Sequence, residues 1–271
     1  LCEHLASFSQ TIQGRRKCLN FSLPMTFEES CRQLGETLEM EDLDQENDEL
    51  ITFEGLHDLE DILLRCNKEG IVSGEELLQV SGTLRTARRL RRQIDNATLR
   101  PITSSLLKNV TTLPELEQLL ECGLEDGGRV ADRASEVLFQ LRNKLKALRL
   151  EIKEILQELL KKNSAIVQEN LIISRYGRFV LALKVGAIDQ IPGIIHGSSS
   201  SGNTIFVEPK IVIKLANKIK LIEGQIGKEE ARLLSTWSKE VGKNFVDLEH
   251  LCNVMLSLEF ALSRARYSHW L

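Results

Sequence analysis

Aromatic residues make up only 5% of this 271-residue chain, while charged residues reach 27%. The apolar positions are therefore mostly Leu, Ile, Val and Ala, a set that suits helix packing better than sandwich packing. The six cysteines, at 2, 18, 31, 66, 122 and 252, form no C-x-x-C pair and no short-range framework. That spacing excludes a zinc knuckle and a disulfide scaffold, and points to a reducing compartment, cytoplasmic or plastid. No apolar run approaches the roughly 20 residues that cross a bilayer, and the first residues lack the charged-then-apolar pattern of a signal peptide, so a soluble protein without a membrane partner is expected. A nucleophile elbow, an H-E-x-x-H and a convincing carboxylate pair are also missing, so no catalytic residue is assigned. The five histidines are scattered, and the His250/Cys252 pair alone does not make a metal site. The chain starts at Leu1 without Met and stops at Leu271 in a periodic run, which reads as a piece of a larger protein.

Charge is abundant and segregated beneath a net −4. Residues 33–64 carry twelve acidic residues and no Lys or Arg, whereas 85–100 carry six Arg and one Asp. The favoured reading pairs Arg85–Arg92 with the acidic stretch; a phosphate-binding patch is the alternative.

Helix starts are marked by the capping boxes Thr26/Glu29 and Ser73/Glu76 and by Pro114, with a break at Gly123, Gly127 and Gly128. Several helices are therefore expected over the first 130 residues. Leu138, Leu141, Leu145, Leu148, Ile152, Ile155 and Leu159 then repeat in steps of three and four, as do Val212, Leu215, Ile219, Ile222, Ile226, Glu229 and Leu233. These are two heptad seams, and helices of roughly 30 Å or more packed antiparallel would make a stalk. Between them, 171–174, 179–185, 193–196 and 204–207 read as short strands, with a hairpin turn at Gly177 and a helix restarting after Pro209. A last amphipathic helix runs through Phe245, Leu248, Cys252, Met255, Leu258, Leu262 and Ala265, after a bend at Gly242. The predicted fold is mainly α: a multi-helix core with a long antiparallel coiled-coil stalk carrying a small β-rich insertion.

Two features of the insertion bear on function. Gly197 to Thr204 has the spacing of a phosphate-binding loop, but Asn203 replaces the required Lys and a strand follows where a helix is needed. A turn is the expected structure, with hydroxyls and amides that could reach a nucleic-acid backbone. Residues 171–220 hold Arg175, Arg178, Lys184, Lys210, Lys214, Lys218 and Lys220 against Asp189 and Glu208, an excess of seven minus two, or five, positive charges. Such a tip could grip phosphates, or be an ordinary solvated face with edge-strand lysines.

The strings 177–184 (GRFVLALK), 191–196 (IPGIIH) and 199–209 (SSSGNTIFVEP) resemble the MutS family, more narrowly the branch called MutS-two, which lacks the mismatch-reading front domain. Residues 69–78 (EGIVSGEELL) and 83–90 (TLRTARRL) are similar to that branch's N-terminal helical region. The resemblance implies a helical core and outgoing lever helix at 1–165, a clamp at 166–209, and a returning lever and closing core helix at 210–271. It further implies a full-length ATPase using ATP and Mg, commonly ending in an Smr-type nuclease, that acts as a homodimer. DNA would be the partner, branched or mismatched, in recombination suppression or DNA repair. Ribosomal RNA on stalled ribosomes is the alternative. Carried over as a contact surface are Arg175, Arg178, Lys184, His196 and Asn203. Two positions depart from the family, Ala182 where Pro is usual and Gly197 where Asp is usual, the second removing a carboxylate from the tip loop.

Overall fold

The computed structural model describes residues 1–46, 50–200 and 202–271, with Ile188 described in its backbone alone. Asp48 and Glu49 of the acidic stretch, and Ser201 of the Ser-rich loop, lie outside the described residues. Helices hold 67% of the chain, so the mainly α reading of the composition holds. The chain divides into two units, residues 1–131 with 233–271, and residues 132–232.

The first unit contains α1 (Cys2–Ala6), α2 (Ile12–Leu19), α3 (Phe27–Glu46), α4 (Glu60–Asn67), α5 (Gly74–Ile94), α6 (Pro101–Lys108) and α7 (Pro114–Gly123). A short antiparallel hairpin, β1 (Leu124–Glu125) and β2 (Arg129–Val130), follows at the predicted glycine break. Ser73 and Glu76 make the full capping box at α5, and the Thr26 hydroxyl accepts from Glu29 N at the start of α3. α10 (Phe245–Trp270) packs on α1, α2, α3 and α4. The sequence reading gave it one amphipathic face; Leu251, Val254, Phe260 and Ala261 are buried as well, and residues 258–263 are covered on every side, while Val246, Glu249, His250 and Asn253 in the first half stay exposed.

Buried carboxylates of the first unit do the work of helix caps. Glu259 on α10, 1% exposed, accepts from the amides of Gln10 and Thr11 and from the hydroxyls of Ser9 and Thr11, holding the chain at the entry to α2. Glu39 on α3 accepts from the amides of Ile102 and Thr103 at the start of α6. Each meets free N–H groups and the positive end of a helix, which offsets the cost of removing a carboxylate from water.

The arginines also find carboxylates, but not those expected. Arg85 pairs with Glu121 and Arg88 with Glu117, both on α7. The acidic stretch instead receives Arg264 at Glu36 and Arg266 at Asp44, both from α10. From the 85–92 cluster, Arg89 reaches that stretch, and only at the backbone carbonyls of Thr52 and Glu54. The correction has a geometric reason: α5 packs beside α7, whereas α3 packs beside α10, and charge balance says nothing of which helices are neighbours.

The second unit consists of α8 (Glu136–Lys162), a four-stranded sheet and most of α9 (Lys210–Lys243). Arg142 bonds Glu230 and Arg149 bonds Glu223, so residue numbers rise on α8 as they fall on α9, and the two helices run antiparallel. On α9 the predicted stripe is buried at Val212, Ile219, Ile222 and Ile226. On α8 the seam drifts: Leu138 and Ile152 are buried, but beyond them Leu156 and Leu160 are more deeply buried than the expected Ile155 and Leu159. There the helix packs against the sheet as well as α9, and a second neighbour widens the apolar face beyond a two-position seam.

The sheet has β3 (Val167–Arg175), β4 (Arg178–Lys184), β5 (Gly193–Ser198) and β6 (Thr204–Pro209), in the order β3-β4-β6-β5, antiparallel throughout. All four strands were expected. β3 begins four residues earlier than the apolar pattern indicated, because Gln168, Glu169 and Asn170 are exposed on an edge strand and leave no apolar alternation to read. Leu181, Leu183, Ile205 and Val207 point into one apolar cluster with Ile152, Leu156, Val212 and Ile219. By the two-residue period of a strand, Arg178, Phe206 and Glu208 point to the opposite face.

Candidate nucleic-acid interface

That opposite face is organised around Glu208, whose side chain is only 2% exposed. Arg178 Nη1 lies 3.3 Å from Glu208 Oε1 and 2.8 Å from Asn217 Oδ1 on α9. His196 Nε2 shares a 2.8 Å hydrogen bond with Glu208 Oε2. A carboxylate this deeply buried requires such partners, since an unpaired buried charge costs several kcal/mol, on the order of 3–5. Arg175 is nearby, its guanidinium carbon 3.9 Å from the centre of the Phe206 ring, which presents the cation on an aromatic face.

Three of the five residues expected to contact nucleic acid are thus gathered at one end of the sheet, with Arg178 and His196 committed to Glu208. The other two are adjacent at the far end. Lys184 pairs in register with Thr204, next to Asn203, and its ammonium donates to the Ala165 carbonyl at 2.9 Å. Asn203 accepts from Val185 N through its backbone at 3.3 Å. Lys220 is held by Glu223 at 3.0 Å. Lys210, Lys214 and Lys218 are exposed, four residues apart on one face of α9, with no partner shown among the described residues. Sequence reasoning counted them in the charge excess but not in the contact set; their i, i+4, i+8 spacing after Pro209 was the signal that could have picked them out.

Gly197 and Ala182 occupy distinct local settings. Gly197 sits at φ +108°, a conformation reserved for glycine, and a Cβ built there would lie 3.5 Å from Arg175 Nη1. The Arg175 guanidinium itself rests on the Phe206 ring. Ala182 is buried in β4, a central strand, opposite Phe206.

The Ser-rich loop does not fit a nucleotide triphosphate. Ser199 N donates to Thr204 O, Gly202 N to Ser199 O, and Thr204 N to Ser199 Oγ, so these amides are consumed inside the β5–β6 turn. β6 follows where a helix N-terminus would be needed. No group of three or more His, Cys, Asp or Glu able to hold a metal ion occurs among the described residues. No described helix is long and apolar enough to cross a membrane.

No family model matches the chain. Along its whole length it is similar to a curated protein of Synechocystis sp., Endonuclease MutS2, at 41% identity over 271 residues, which are 33% of that protein. Endonuclease MutS2 of Pelotomaculum thermopropionicum is 30% identical over 275 residues, covering 98% of this chain and 34% of the relative. The Clostridium botulinum protein of the same name is 27% identical over 219 residues, 80% of this chain and 28% of its own. The chain spans about a third of the length of the curated relatives it matches.

Proposed function

We infer that this MutS2-like chain is the lever and clamp of a larger ATP-driven protein, and that its sheet grips the phosphate backbone of DNA. The observation that carries the reading is the arrangement of cations. Arg175 is presented on Phe206 beside the Arg178–Glu208–His196 cluster, and the Lys210, Lys214, Lys218 stripe starts where β6 ends. Buried pairing fixes the sheet that displays the cations, and the exposed lysines are left for an external anion. Phosphate contacts of this kind position a protein on nucleic acid without reading sequence.

α8 and α9 serve as the two strands of a coiled-coil stalk, with residues 166–209 as the clamp, 1–165 as core and outgoing lever, and 210–271 as returning lever and closing core helix. ATP and Mg belong to a part of such a protein outside these residues, as does the nuclease activity that the relatives' name states. A homodimer would bring two clamps to one DNA, branched or mismatched, in recombination control or repair.

The test is fluorescence-anisotropy titration with a labelled four-way DNA junction, a linear duplex and a structured RNA, at low and physiological salt. Junction preference that survives added salt supports the clamp. Preference for the structured RNA would transfer the function to a ribosome-engaging arm.

A further inference from the structure

We propose that the β3–β4 turn is a stacking site for one unpaired base of single-stranded nucleic acid, with Tyr176 as the platform and Lys153, Arg149 and Lys220 holding the flanking phosphates. The proposal rests on the nucleic-acid reading above and adds the class of strand bound.

The strands end at the Arg175–Arg178 pair, leaving a two-residue turn. Both turn residues have positive φ, 49° at Tyr176 and 70° at Gly177. Turns of this kind select Asn-Gly, Asp-Gly or Gly-Gly, because Asn, Asp and Gly tolerate the left-handed region at little cost. A tyrosine satisfies no local requirement there and is held in a sparsely populated conformation, the situation from which a functional role is reasonably inferred. Its side chain is not tucked away: Tyr176 is 88% exposed, and no ring contact involving it occurs among the described residues.

Behind the turn lies an open groove of about 480 Å³, floored by Ile172, Phe179 and Ile219 and edged by Arg149, Lys153 and Glu223. A Cβ on Gly177 would meet the ammonium of Lys220, so the turn rests directly beside that cation. Glu223 is shared by Arg149 at 2.8 Å and Lys220 at 3.0 Å. Three cations against one carboxylate leave two net positive charges beside an exposed ring and an apolar floor. Such a combination fits a chain of anionic links carrying flat apolar faces. A duplex keeps those faces inside its stack and must unstack at a cost of roughly a few kcal/mol to offer one, whereas a single strand offers them freely.

The experiment measures anisotropy binding of the full chain to an oligothymidylate, its abasic counterpart and a linear duplex, for wild type, Tyr176→Asn and Tyr176→Phe. Asparagine is a preferred residue in this turn, so the first variant keeps the hairpin while removing the ring. Tyr176→Asn is expected to bind oligothymidylate roughly tenfold more weakly, with duplex and abasic binding unchanged within about twofold and Tyr176→Phe close to wild type. Single-strand binding indifferent to the Asn substitution, with duplex binding intact, overturns this proposal alone. Equal losses on all three ligands also overturn it, and absence of binding to every ligand overturns both it and the function on which it rests.

Discussion

The hydroxyl of Ser135 donates to the carboxylate of Glu229 at 2.7 Å while accepting from Leu138 N, so the cap of α8 is tied to α9 by one side chain. Glu229 is the polar member of an otherwise apolar seam, and its partner explains it. Ser135→Ala should remove both the cap and the tie, destabilising the second unit by about 1 kcal/mol. Chemical denaturation monitored by helical circular dichroism checks this.

Hydrogen bonds from Arg232, and then from Ser135, hold the Glu229 carboxyl down to about 2, against an ordinary value of 4.5. Because the folded form has the lower value, this contribution is complete above pH 4.5 and is lost as pH falls through 2. Between those limits the melting temperature of Glu229→Gln should fall less steeply than that of the wild type. Parallel pH profiles for the two proteins would contradict the assignment.

Arg178 stood among the expected nucleic-acid contacts, but its side chain bonds a buried carboxylate. Arg178→Ala should therefore cost stability, on the order of 3 kcal/mol, by leaving Glu208 with His196 alone. Lys214→Ala should leave stability within about 0.5 kcal/mol and lower the salt slope of DNA binding by about one. Denaturation and salt titration of the two variants separate these roles.

Glycines on α9 should respond in opposite directions. A Cβ at Gly242 would collide with the Cys66 carbonyl, and backbone cannot step aside, so Gly242→Ala should cost about 1–3 kcal/mol. At Gly227 a Cβ meets nothing within 4 Å, and Gly227→Ala should stabilise by roughly 0.5–1 kcal/mol. Melting temperatures of the pair give the signs directly.

What could be read from the residues follows from which forces are local. The Ser73/Glu76 capping box, the Thr26 cap, Pro114 and the buried α9 stripe are set by neighbours in sequence and lie where their patterns placed them, and the four strand runs do so apart from the early start of β3. Partner choice is not local. The Arg85 and Arg88 guanidinium groups could satisfy any nearby carboxylate, and only packing decides that α7 supplies it. Gly242 was read as a bend because sequence shows its missing side chain but not the Cys66 carbonyl that needs the space. At the sheet, the charge excess was legible, while the commitment of Arg178 and His196 to Glu208 required the register of β4, β5 and β6.

The most direct test of the clamp is salt-dependent anisotropy of the four-way junction against the linear duplex, for wild type and for the Lys210→Ala/Lys214→Ala/Lys218→Ala variant. The account predicts that the wild type prefers the junction at physiological salt, and that the variant loses affinity with a salt slope shallower by about three. Equal binding of both DNAs, with a slope untouched by the three substitutions, would contradict it.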